Sequence, residues 1–181
     1  MKKALLVASI LFIAVITTAC INNIAVQELN NKAAEYLEKG DYDAAVNRLQ
    51  ASLDLDSTAY ETHYNLGIAA TKAEKYDIAL EAFENGLKIK PDYSNFYYSL
   101  AVAQAEYSDE ILDDSDEDSK KEITEEDKTK AEELKKQAIL NAEKYLELSP
   151  KAEDADEVKD FIQDLKKEEE STEEQPTVLK G

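Results

Sequence analysis

Few side chains in this sequence could do covalent or metal chemistry. There is one thiol, Cys20, and one imidazole, His63, among 181 residues. A single cysteine excludes an internal disulfide, and one Cys with one His leaves almost nothing for a thiolate–imidazole metal cage. His63 is the one candidate general base of its type. It recurs as Tyr97, 34 residues later, at a position that packs helix against helix, so a structural role is expected. Carboxylates are plentiful, 40 Asp and Glu against 21 Lys and Arg. Acid–base catalysis needs two of them in a dry cleft with separated pKa values, and most here fall on predicted solvent faces. Phosphate loops, nucleophile motifs and metal constellations are missing from the sequence. The expectation is a protein that is not an enzyme and has no small-molecule substrate. One acidic spacing is sharper: Asp114, Asp116, Asp118 and Glu125 match four ligand positions of a calcium-binding loop. Ser119 stands where the sharp turn needs Gly, and Lys121 where an apolar residue belongs. A solvated acidic loop is the preferred reading, and no metal is assigned.

Cys20 sits in a telling context. Met1-Lys2-Lys3 is a short basic start, Ala4–Ile16 is uncharged, and Thr17-Thr18-Ala19 follows. Basic, apolar, then small is the layout of a secretory signal. Ile16-Thr17-Thr18-Ala19-Cys20 resembles the lipobox of bacterial lipoprotein precursors, with Thr17 where Leu is commoner. That resemblance implies removal of residues 1–19 as a signal peptide and a covalent lipid of the palmitate type on Cys20, the sole cofactor-like group expected. It also implies a lipid-anchored chain on the extracytoplasmic side of a bacterial cell membrane or outer membrane. A rival reading keeps the segment as an uncut membrane helix, since Ala4–Gln27 carries no charge. Asn22 and Asn23 count against it. Either way Lys2 and Lys3 stay in the cytoplasm and the rest lies outside.

The elements come next. Ala, Leu, Glu and Lys dominate, with 4 Gly and 3 Pro, a composition that predicts an all-α chain. A net charge of −19 disfavours nucleic acid and anionic lipid headgroups as partners. A period of 34 runs through the sequence: Tyr42 with Tyr76, Ala45 with Ala79, Leu49 with Phe83, Leu53 with Leu87, Leu66 with Leu100. Within a unit the apolar spacing is helical, and Gly40-Asp41-Tyr42 or Glu74-Lys75-Tyr76 separates two helices. Neither helix of such a hairpin can bury its apolar face alone, so hairpins must stack.

These units resemble tetratricopeptide repeats (TPR). The match is clearest over residues 60–93, in His63, Leu66-Gly67, Tyr76, Ala79, Phe83, Leu87 and Pro91. The resemblance implies a right-handed superhelix of three helix-turn-helix repeats over about 26–59, 60–93 and 94–151, within a domain spanning 26–167. The third repeat is split, because Ala138, Ala142, Leu146 and Pro150 follow Ala79, Phe83, Leu87 and Pro91 by 59 residues. Hence an acidic insertion is expected at about 108–130, although Glu125–Lys136 has the charge spacing of a helix extension. A capping helix is expected over about 152–167. The linker 20–25 and the acidic tail 168–181 are read as disordered.

The resemblance further places the first helix of each repeat on a concave wall. Candidate peptide-binding residues are Asn30, Tyr64, Asn65, Ile68, Asn95, Tyr98 and Val102, with Gln27, Ala34, Leu37, Thr71 and Ala105 on the same wall. Some relatives clamp a peptide carboxylate with Lys, Asn and Arg at set positions. Here Asn65 alone matches, and the others hold Asn30, Ala34, Asn95 and Ser99. The leading expectation is a membrane-anchored scaffold that binds a peptide or helix of another protein. The alternative is a structural or cation-associating envelope lipoprotein whose groove is filled by the cap, the acidic arm or a second copy.

Overall fold

The structure, a computed structural model, describes residues 23–113 and 123–173, with side chains to residue 168. The signal segment 1–19, Cys20 and the calcium candidates Asp114, Asp116 and Asp118 lie outside the described residues. Among these the fold is all-helical, with seven helices and no strand. Helix α1 covers 23–38, α2 Tyr42–Leu55, α3 Tyr60–Lys72, α4 Tyr76–Ile89, α5 Ser94–Leu112, α6 Glu125–Leu148 and α7 Ala155–Glu173. The hairpins are α1/α2, joined by Ala33 against Ala45, Val46 and Leu49, then α3/α4 and α5/α6, and α7 packs on α6.

The 34-residue register reappears in the backbone. Each of the first two hairpins turns through one left-handed residue, Gly40 at φ 73° and Glu74 at φ 56°. Asp41 N donates to Tyr36 O, and Lys75 N to Ala70 O, both at 2.9 Å. The side chains repeat too. His63 Nε2 meets the Ser57 carbonyl at 3.0 Å, and Tyr97 Oη donates to the Pro91 carbonyl at 3.0 Å. His63 is buried and ties its helix to the loop before it, as Tyr97 does one repeat later.

Small residues set how closely the helices approach. A Cβ on Gly67 would stand 2.3 Å from the Phe83 ring, and one on Gly86 would stand 2.2 Å from the Phe96 ring. The first notch closes the α3/α4 hairpin; the second seats α5 on α4. Both phenylalanines are fully buried.

Three expected boundaries shift. Residues 23–25, expected in the linker, already belong to α1. Residues 168–173, expected in the tail, extend α7. The acidic insertion is shorter than 108–130, because α5 runs to Leu112 and α6 opens at Glu125. Ile111, Ala131 and Leu134 bury one another there, and the buried Ser108 Oγ donates to the Ala131 carbonyl at 3.0 Å. Thr124 and Asp127 form a reciprocal capping box that starts α6. Glu125, the one described calcium candidate, is an exposed first-turn residue of α6 accepting from Lys128 Nζ at 2.8 Å.

Two substitutions test this packing by thermal or urea unfolding. Gly67→Ala forces a methyl into the Phe83 ring and should cost about 1–3 kcal/mol. Glu74→Gly relieves a left-handed non-glycine and should gain up to about 1 kcal/mol.

Candidate functional site

Helices α3 and α5, the first helices of their hairpins, lie side by side and share a hollow of about 160 Å³. Its lining is Ile68, Thr71 and Lys72 from α3 with Tyr98, Ser99, Val102 and Glu106 from α5. The i, i+4 spacing of helices explains the set, since 68 and 72, or 98, 102 and 106, fall on one face. The lining surface is almost wholly apolar, and Lys72 and Glu106 stand as its charged members. A hollow of this size is too small for a typical drug-sized ligand and suits one side chain of roughly benzene size.

The expected concave residues separate into three groups. Ile68, Tyr98 and Val102 meet in this hollow, and Thr71 joins them at its buried side. Asn65 and Asn95 are exposed, and Asn95 Nδ2 donates to Tyr93 Oη at 3.4 Å. Tyr64 and Asn30 serve packing more than the groove. The Tyr64 ring lies 5.4 Å from Phe96 and 5.7 Å from Tyr93, both edge-on. Its hydroxyl accepts from Ser99 Oγ at 3.3 Å. Asn30 Nδ2 donates to Thr62 Oγ1 at 3.1 Å, a bond between α1 and α3. Ala105 is buried against α6 and α7, and Leu37 packs in the core of the first hairpins. Ala105 is thereby removed from the concave wall, and Leu37 stays half-exposed.

The cap fills part of this face but not all of it. The Tyr98 ring packs 5.3 Å from Tyr145 and 6.2 Å from Phe161 of α7. Tyr145 Oη in turn donates to Asp154 Oδ1 at 2.5 Å, and burial followed by that bond pushes the Tyr145 hydroxyl up to about 12. Tyr98 is thus a fixed wall, while Ile68 and Val102 stay half-exposed beside it. Lys72 and Glu106 escaped the sequence reading. Their signal was the i+4 step beyond Ile68 and Val102, which adds the next turn of each helix to the same face.

A second hollow, about 410 Å³, adjoins the first through Glu106. Glu74, Tyr76, Asp109, Glu110 and Asp113 complete it. Tyr76 stacks on Tyr107 with ring centroids 5.3 Å apart. Burial raises the Tyr76 hydroxyl above the ordinary tyrosine range, with Glu106, Glu110, Glu74 and Asp109 adding to it. A separate hollow of about 420 Å³ lies among α2, α3 and α4, with Leu53, His63, Leu66, Ile78 and Ala82 beside Gln50, Asp54, Glu81 and Asn85.

With this geometry in view, comparisons with known proteins are informative. Residues 33–73 match a family described as TPR repeat, and residues 60–93 match tetratricopeptide repeat. Residues 33–93 are tetratricopeptide repeats. A TPR repeat-containing protein of Methanocaldococcus jannaschii is 41% identical over 76 residues, 42% of this chain. The aligned stretch spans 13% of that relative's own length. Among solved structures, the first TPR domain of human RPAP3 superposes with a TM-score of 0.61 at 17% identity, covering 83% of this chain and 97% of that one. The first TPR of Spaghetti (RPAP3) bound to an HSP90 peptide gives 0.59 at 17%, covering 78% and 90%. The TPR2B domain of yeast Sti1 in complex with pHsp70 gives 0.57 at 16%, covering 80% and 98%. At these identities the likeness is one of fold.

Among the described residues, no helix is long and apolar enough to cross a membrane, and no group of three or more His, Cys, Asp and Glu is placed to hold a metal.

Glu106 supplies a pH test. Burial raises its carboxyl above the ordinary glutamate range, opposed by Lys72 and reinforced by Asp109 and Glu74. The folded chain therefore keeps this proton to higher pH than the unfolded chain. Stability linked to this group is full below the ordinary glutamate value of about 4.3 and falls as pH rises through the higher folded value. Glu106→Gln should raise the melting temperature at neutral pH and give no comparable gain at about pH 4 and below. An equal gain at both would contradict the assignment.

Proposed function

We propose that this chain is a lipid-anchored scaffold of the bacterial cell envelope that docks an extended or helical segment of another protein on its concave face. The observation that carries the reading is the apolar hollow between α3 and α5, open at Ile68 and Val102 and backed by the immobilised Tyr98 ring. Exposed apolar pockets between first helices suit side chains presented by a partner, with affinity concentrated in a few buried anchors. One structural neighbour is bound to an HSP90 peptide and another is a complex with pHsp70, which supports a protein partner here.

The type of peptide those relatives hold does not transfer easily. Of the positions that clamp a carboxylate in some relatives, Asn30 is bonded to Thr62 and Ser99 to Tyr64. The adjoining hollow is acidic instead of basic.

The anchor rests on Cys20 and its lipobox. With two or more acyl chains on one residue, membrane attachment is stable without any spanning helix. Such an anchor leaves the acidic domain outside the membrane and free to meet its partner.

Both halves can be tested in the native host. An alkyne analogue of palmitate should label the wild-type chain, and Cys20→Ser should abolish the label. An unlabelled wild type would favour the uncut helix. Ile68→Ser with Val102→Ser should keep the helical content and eliminate the partner crosslinked to the wild type in membranes. An unchanged crosslinking pattern in the folded double variant would remove the groove from the proposal.

A further inference from the structure

We infer that the docking surface runs from the apolar hollow into the acidic hollow beside it, and that it takes a segment bearing an aliphatic anchor next to basic residues. This inference rests on the concave face being the docking site and adds the chemistry of what docks there. Glu106 is the hinge of the argument, because it lines both hollows. A side chain seated on Ile68 and Val102 places its neighbours in the segment against Glu106 and, beyond it, Glu74 and Glu110. Among the described residues, Lys135 reaches Asp109 at 3.4 Å, and no ion pair reaches Glu74, Glu106 or Glu110. Glu106 is half-buried and shares the first hollow with Lys72, while Glu74, Asp109 and Glu110 are exposed around the second; carboxylates gathered this way repel one another, and an incoming cation relieves that repulsion.

The aromatic wall carries a second observation. Lys130 Nζ lies over the Tyr107 ring, 4.3 Å from its centroid, and donates to the Tyr107 hydroxyl at 2.6 Å. Tyr107 is stacked on Tyr76, which lines the acidic hollow. The chain's own lysine therefore shows one ring of this pair, Tyr107, holding a cation. Asp109 and Glu110 belong to the last turn of α5, which the buried contacts of Ser108 and Ile111 hold in place. Extension of the third hairpin is what brings these carboxylates to the end of the groove. An acidic segment would meet like charges there, and a net charge of −19 extends that repulsion to longer range.

The test is panning of a random-peptide display library against the full chain, followed by affinity measurement on three forms. These are the wild type, Ile68→Ser with Val102→Ser, and the neutralised variant Glu74→Gln, Glu106→Gln, Glu110→Gln. The neutralised variant loses charge repulsion, so it should fold at least as well as the wild type, which a melting curve checks. Enriched peptides should combine Leu, Ile or Val with Lys or Arg. They should lose binding on the apolar double variant, and weaken roughly tenfold, with a flatter salt dependence, on the neutralised one. Peptides that need Ile68 and Val102 but are neutral or acidic, or that bind the neutralised variant equally well, would overturn the charge inference and leave the groove standing. Peptides indifferent to the apolar double variant would overturn both.

Discussion

The ring of Phe83 occupies the space where a Cβ on Gly67 would stand, and the remaining packing follows from that contact. It lets α4 lie tightly against α3. That leaves Ile68, the next residue along α3, half-exposed toward α5. The next contact outward has the same form, with Phe96 of α5 filling the notch at Gly86 of α4. Large against small therefore alternates along the stack, once within a hairpin and once between hairpins. The third hairpin reverses the sizes: Tyr145 and Ala155 stand 59 residues after Gly86 and Phe96, and both are buried. The reversal has a consequence for the groove, because the large Tyr145 is the residue against which Tyr98 packs.

The third hairpin also carries a buried polar joint. Gln104 is buried between α5 and α6, donating to Gln137 Oε1 at 3.0 Å and accepting from Asn141 Nδ2 at 2.8 Å. A buried amide is tolerable when its partners are all supplied, and it then fixes the register of the helices that supply them. Farther out, Ser108 and the cluster of Ile111, Ala131 and Leu134 hold the extended ends together. Those contacts lift Asp109 and Glu110 to the edge of the concave face. The acid-rich composition is therefore shaped into a surface by a few buried residues.

Much of this was legible in the 34-residue period. The pairs Tyr42 with Tyr76 and Leu49 with Phe83 placed the hairpins, and helix spacing put Ile68, Tyr98 and Val102 together. The period assigns a face to each residue without naming what a neighbouring helix brings to that face. The period alone therefore puts Asn30 and Tyr64 in the groove, although Thr62 and the Phe96 ring engage them. The same holds for Ala105, which is covered by α6 and α7. The helix extension expected from the charge spacing of Glu125–Lys136 forms as part of α6, whereas the acidic composition hides the continuation of α5 to Leu112. Ser108, Ile111, Ala131 and Leu134 are few, yet they sit on facing helical sides and suffice to continue the hairpin.

A photocrosslinking side chain introduced at position 102, in the hollow, or at position 140, an exposed leucine site on α6, asks most directly where a partner docks. In native membranes, position 102 should yield one discrete crosslinked species and position 140 none. Equal yields from the two positions, or a species from position 140 alone, would contradict docking on the concave face.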